Sequence, residues 1–231
     1  MHFHLPKPLH GWRELAGEVG IIVLGVLIAL GAEQAIETIH WHGQVTEFRQ
    51  AVDAELADDW AAYQYRINEE PCVKRRIGEL QQWLAAERAG KAVLPAGEIG
   101  RPSTYIFRMS VWKSSSPDIM NHLSMRIRER YASIYDLASL VNQQISDEND
   151  AWRGLNAFDG QAELAPEDLR EIGALVYRAK SIDRSLTANY SFFERAAGAL
   201  RIRPDFGERK TDIQPPDPEF CRPLFPGRRA L

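Results

Sequence analysis

Apolar and polar residues are arranged in two distinct ways along this chain. From Val19 to Ala32, fourteen consecutive residues carry no charge and almost no polarity, and Glu18 and Glu33 fence them. Downstream the apolar positions recur every three or four residues, the spacing of one face of an α-helix. Val45, Phe48, Val52, Leu56, Trp60, Tyr63 and Ile67 make the first such stripe. It ends at Asn68-Glu69-Glu70-Pro71. Pro71 suits the first turn of a second helix, where its missing N–H leaves nothing unpaired. Val73, Ile77, Leu80 and Leu84 form the second stripe, with Gly90 as the expected C-terminal cap.

Residues 91–116 break the periodicity. Pro95, Gly97, Gly100 and Pro102 read as a loop, and YIFRMSVW within it is apolar enough to lie against helices as a short strand or helical turn. Ser116-Pro117-Asp118 is a helix start: a capping serine, a proline in the first turn, then an acid. The longest stripe follows, through Ile119, Leu123, Ile127, Tyr131, Ile134, Leu137, Val141, Ile145, Trp152 and Leu155, with a break expected near Asn121–Ser124. The last opens at Pro166-Glu167-Asp168 and carries Leu169, Ile172, Val176, Ala179, Ile182, Leu186, Tyr190, Phe193 and Leu200. From Pro204 onward, Pro215, Pro216, Pro218, Pro223 and Pro226 forbid helix and predict an extended tail.

Amphipathic stripes bury their apolar faces only by packing on one another, so the expected fold is all-α. A long N-terminal transmembrane helix continues into a periplasmic four-helix-type bundle, followed by an extended Pro-rich C-terminal tail. The expected divisions are a cytoplasmic tail over 1–11, an anchor over 12–40, the bundle over 41–203 and the tail over 204–231. No second run of membrane length follows, which argues against a two-span receptor.

Fourteen residues of helix reach about 21 Å, short of a hydrocarbon core of about 30 Å. The run crosses a bilayer only as the middle of a longer helix. Its pattern does continue, through Trp12, Leu15 and Ala16 on one side and Ala35, Ile36, Ile39 and Trp41 on the other. Trp12 and Trp41 bracket it as interfacial aromatics do, and Glu18 and Glu33 fall at the polar edge. A cleaved leader fits less well, because the preceding residues include two acids and two prolines. Lys7 and Arg13 precede the run, whereas the first basic residue after it is Arg49. That asymmetry places the N-terminus inside a bacterial inner membrane and the larger part in the periplasm.

Charge narrows the partners. A net charge of −4 and a pI near 5.9 give no electrostatic case for nucleic acid. Lys74-Arg75-Arg76, Arg126/Arg128/Arg130 and Arg228-Arg229 stand among acids and read as solvated faces. Cys72 and Cys221 are too far apart for a metal motif. In a periplasmic domain they invite one disulfide, the alternative being two buried thiols.

The segment His10–Glu37, HGWRELAGEVGIIVLGVLIALGAEQAIE, resembles the N-terminus of a family of uncharacterised bacterial proteins. The matching residues are Gly17, Glu18, Gly25, Leu27, Ile28, Ala29 and Leu30, followed by Gln34 and Glu37. A weaker similarity lies in FRMSVWKSSSPDIMNHLS. The resemblance implies a single-pass protein with a helical extracytoplasmic domain, and it brings no catalytic residues.

Candidate chemistry is sparse. Ser110-Val111-Trp112-Lys113 spells the nucleophile motif of penicillin-binding enzymes, but Ser146-Asp147-Glu148 and Lys210-Thr211-Asp212 do not fit its companion motifs. Glu33, Glu37 and His40 share a helix face and would offer a metal two carboxylates and an imidazole; a polar face at headgroup level explains them as well. Glu18 stands at the edge of the span rather than inside it, where an acid would be functional by default. Gly25/Ala29 and Gly31/Ala35 are small-xxx-small pairs that let helices approach, pointing to a homo-oligomer or a larger membrane complex. With no nucleophile, base and metal set, and no cofactor expected, the leading reading is a non-enzymatic membrane-anchored scaffold or accessory subunit. The alternative is a membrane-tethered sensor or ligand-binding module, its pocket lined from Trp60, Tyr63, Trp83, Trp112, Tyr131, Trp152 and Tyr190.

Overall fold

A computed structural model describes residues 11–91, 95–207, 215–216 and 218–225, with the side chain of Glu14 excepted. Helix makes up 74% of them and no strand occurs among the described residues. The elements are α1 (Trp12–Asn68), α2 (Glu70–Arg88), α3 (Ser110–Lys113), α4 (Pro117–His122), α5 (Met125–Asn156) and α6 (Pro166–Ala199). The chain divides into two compact units, Met1–Phe48 and Arg49–Leu231.

The first unit is the leading part of α1. Every apolar side chain from Val19 to Leu30 is exposed, from Val19 and Val23 at 50% to Ile21 at 74%. One helix is thus long and apolar enough to cross a membrane, with a mean hydropathy of 2.3 over its best window.

In the second unit local chemistry sets where helices start and stop. Pro71 stands in the first turn of α2, as its fixed φ favours. Gly90, at φ +70°, ends that helix. Its N–H donates to the Glu87 carbonyl and that of Lys91 to Ala86, the paired bonds of a Schellman motif. The Ser116 hydroxyl accepts from the Ile119 N–H at 3.2 Å and starts α4. The break expected near Asn121–Ser124 is the gap between α4 and α5. At Pro166 the Asp168 carboxylate takes the Ala165 N–H at 2.8 Å, satisfying a donor just ahead of α6.

The apolar stripes become the core. Val52, Leu56 and Tyr63 of α1, Val73 and Leu80 of α2, Ile134, Val141, Trp152 and Leu155 of α5, and Ile172, Leu186 and Phe193 of α6 are all fully buried. α6 packs on both α5 and α2. Gly154 permits the close approach of α5 and α6, since a Cβ there would meet the Leu175 side chain at 3.0 Å. YIFRMSVW divides between extended backbone and the single turn α3; Tyr105 and Phe107 point in and Ile106 points out.

Past α6 the described residues form no helix, as the prolines require, and residues 208–214, 217 and 226–231 of the tail lie outside the description. Residues 218–221 form a turn, and Phe220 and Leu224 are buried in the core with the Phe220 ring edge-on to Trp152.

Leu56 is wholly inside, whereas Leu140 is 50% exposed. Leu56→Ala is expected to lower the unfolding free energy by about 2 to 5 kcal/mol, and Leu140→Ala by under about 1 kcal/mol. Denaturant titration of the detergent-solubilised full chain, followed by circular dichroism, measures both; equal losses would remove Leu56 from the core.

Candidate functional site

The anchor residues lie on open helix. Glu18, Gly25, Ala29, Gly31, Glu33 and Ala35 are all exposed, and nothing stands within 4 Å of a Cβ built on Gly25 or Gly31. A neighbouring helix backbone could approach closely at either glycine. Glu33, Glu37 and His40 are exposed too, and the His40 ring meets the Gln44 amide at 2.9 Å. No metal-holding cluster of three occurs among the described residues. His2, His4 and His10 lie outside the described residues.

The second unit hides an unexpected polar interior. Arg66 of α1, Glu148 of α5 and Asp183 of α6 are each almost completely buried. The Arg66 guanidinium pairs with both Glu148 oxygens and reaches Asp183 at 3.2 Å. Burial works against the Arg66 charge, but Glu148 and then Asp183 hold it firmly protonated. Burial raises the Asp183 carboxyl, with Arg66 pulling the other way. Tyr63 adjoins this layer: its hydroxyl donates to the Leu186 carbonyl at 2.5 Å, and its ring contacts Tyr105, Phe107, Tyr190 and Phe193.

Carboxylates of α1 and of the turn that follows it bind the extended segment. Glu69 accepts the N–H and hydroxyl of Ser103. Asp59 takes the Arg108 N–H at 3.0 Å, and Glu55 takes the Val111 N–H, the Ser110 hydroxyl and the Tyr135 hydroxyl. From α5, Asn142 pairs with both the N–H and the carbonyl of Phe107. These side chains do for residues 103–111 what a neighbouring strand does in a sheet. The Ser110 hydroxyl of the S-x-x-K match is thus committed to Glu55 as a tie between segments. Asp59 Oδ2 has no hydrogen-bond partner. Burial, opposed by the Arg108 N–H and reinforced by Glu55, pushes the Asp59 carboxyl up to about 8.

A third constellation fastens the C-terminal segment. Arg76, 1% exposed, donates to the carbonyls of Glu98 and Ile99 on one side and of Glu219, Phe220 and Arg222 on the other. Its guanidinium lies 5.6 Å from the Phe220 ring centre. Arg75 bonds the Cys221 carbonyl, and Cys72 and Cys221 stand at disulfide distance, Cα to Cα 5.0 Å.

None of the buried charges was singled out by periodicity, yet each occupies a core position. Asp59 is three residues past Leu56, Arg66 three past Tyr63, Glu148 three past Ile145, and Asp183 four past Ala179. A charged residue at the register of an apolar stripe was the available signal. Compared with family models, curated proteins and solved structures, the chain matches none.

Two outcomes follow from this geometry. In the folded chain Asp59 keeps its proton up to about pH 8, but in the unfolded chain it loses it near pH 4. The stability it contributes is therefore full below about pH 4 and is lost as the pH rises to about 8. Asp59→Asn retains a carbonyl for the Arg108 N–H and is expected to flatten the fall in denaturant midpoint across that window. An unchanged slope would place the titration elsewhere. The cysteine pair is tested on a non-reducing gel after alkylation. No thiol should react before reductant, and Cys221→Ser should cost about 2 to 5 kcal/mol. Two reactive thiols in the native protein would show that the bond does not form.

Proposed function

We propose that this chain is a single-pass protein of a bacterial inner membrane, anchored by residues 12–40, with its N-terminus in the cytoplasm. Residues 41–203 form a four-helix-type bundle in the periplasm and the Pro-rich residues after them close on it. Its role is that of a non-enzymatic scaffold or accessory subunit of a membrane complex. One observation carries the reading: the stretch of α1 from Val19 to Ala32 is apolar and exposed all round. A helix of that kind is at home in lipid, where its backbone groups are already paired internally.

Other features support it. A cysteine pair at bonding distance suits an oxidising compartment. The pairs Gly25/Ala29 and Gly31/Ala35, on different faces of the span, each offer a place where a second helix, from another copy or another subunit, packs closely. The resemblance of His10–Glu37 to a single-pass family points the same way. The aromatic side chains that a sensor would need for a pocket are spent on one another. Tyr63 lies among four other rings, and Trp112 stacks on Tyr135 at 5.2 Å. That favours a scaffold over a ligand-binding module.

The test is alkaline carbonate extraction of membranes expressing the full chain, with a C-terminal alkaline phosphatase fusion for orientation. The chain should stay in the pellet at its full mass, and the fusion should be active. A chain released into the supernatant, or shortened near Ala32, would overturn the anchor; a silent fusion at normal expression would reverse the orientation. Pull-down from mild detergent then tests the accessory-subunit role, which recovery of a lone monomer would contradict.

A further inference from the structure

Three segments build one end of the second unit. α5 runs in the same direction as α1: Asp53 accepts from Tyr131, Glu55 from Tyr135 and, further along both helices, Glu148 from Arg66. α6 runs the opposite way, with Tyr63 bonded to Leu186 and Trp60 to Tyr190. The start of α5 and the finish of α6 therefore lie at the same end as Arg49, the unit's first residue. They touch there: Arg130 donates to the Ala199 carbonyl at 3.1 Å, beside a shallow groove bordered by Arg126, Ser133 and Ala196.

Arginines outnumber acids at this end, although Glu129 also lines the groove. Arg49, Arg126, Arg130, Arg195 and Arg201 are exposed, and none forms a salt bridge among the described residues. Several exposed arginines elsewhere on the unit are paired, Arg153 with Asp150, Arg170 with Glu167, Arg178 with Asp147 and Arg222 with Glu219, and Arg75 and Arg88 bond backbone carbonyls. The acids at this end are Asp53, which is bonded to Tyr131, with Asp118, Glu129 and Glu194. At the other end, where α6 begins, Glu163, Glu167, Asp168 and Glu171 outnumber Arg170 and Arg88, the latter bonded to the Leu169 carbonyl. Phe192 is left 57% exposed with the Arg195 guanidinium 4.8 Å from its ring centre. Arg201 holds φ +64° in the turn that ends α6, a backbone that glycine adopts without strain.

We propose that this basic end rests on a membrane surface containing anionic phospholipid, with Arg126, Arg130, Arg195 and Arg201 against headgroup phosphates. The proposal rests on the anchor reading above. Arg49 follows His40 by only nine positions, so the anchor is a short tether that keeps this end at high effective concentration near the surface it would bind. Guanidinium groups bind phosphate oxygens through paired N–H donors, and free arginines need no existing ion pair broken first. The aromatic ring of Phe192 beneath Arg195 suits the mixed polarity of the headgroup layer.

The test uses the full chain with Ser133→Cys carrying an environment-sensitive dye. It is reconstituted in vesicles of phosphatidylcholine alone or mixed with phosphatidylglycerol, each with a nitroxide-headgroup lipid as quencher. Quenching should be several-fold stronger with phosphatidylglycerol. Molar salt, which shrinks the Debye length to about 3 Å, should remove the difference. R126E/R130E should remove it as well, and R195E, on a different helix, should reduce it. R153E, at the other end, should leave it intact. Equal quenching in both lipid mixtures, or a difference that survives R126E/R130E in a chain of normal helix content, would overturn the proposal. Failure of the unmodified chain to float with either vesicle would instead overturn the anchor reading beneath it.

Discussion

Arg66 is a full positive charge held out of water, and the second unit is organised so that it is never alone. Its two counter-ions come from different helices, Glu148 of α5 and Asp183 of α6. Removing an ion from water costs several kcal/mol, and a buried pair returns that cost only if its geometry is kept. Sliding α1 by one turn along either neighbour would strand at least one of the three charges. Leucine and valine stripes tolerate such slips; this layer does not. The contribution of the ion cluster is therefore to the choice of register more than to net stability, which apolar packing around Leu56, Val141 and Leu186 supplies.

The same helix carries two patterns of side chains. From Val19 to Ala32, α1 presents apolar side chains in every direction, and from Val52 on it presents an apolar face with carboxylates and Arg66 set into it. The change is one of pattern, not of backbone, since α1 is one helix from Trp12 to Asn68. Its second half then acts as the spine on which residues 103–111 are hung. Glu55 and Asp59, one turn apart on α1, meet the N–H groups of Val111 and Arg108, and Glu69 in the turn after the helix meets that of Ser103.

Much of this was legible in the residue pattern. The stripes through α2, α5 and α6 predicted which side chains are buried, and Ser116-Pro117 and Pro71 marked helix starts to within a residue or two. Periodicity counts apolar residues, however, so it passed over Asp59, Arg66, Glu148 and Asp183, whose burial depends on partners far away in sequence. The role of Arg76 was hidden for the same reason. Lys74-Arg75-Arg76 looks like a solvated basic patch, yet only Arg76 faces inward, and its five carbonyl partners come from two distant loops. The arginines of α5 and α6 likewise form one patch only once the helix directions are known.

The segment YIFRMSVW is apolar, β-prone and flanked by few charges, the composition of chains that recruit copies of themselves into cross-strand aggregates. What such recruitment needs is a row of unoccupied backbone donors. In this fold Ser103, Phe107, Arg108 and Val111 have given theirs to Glu69, Asn142, Asp59 and Glu55. An incoming strand would have to displace carboxylates and an amide that the helices hold in place. The polar row on α1 and α5 thus works as a guard against self-association, and the chain is most vulnerable at the stage of its synthesis when that segment exists but α5 has yet to cover it.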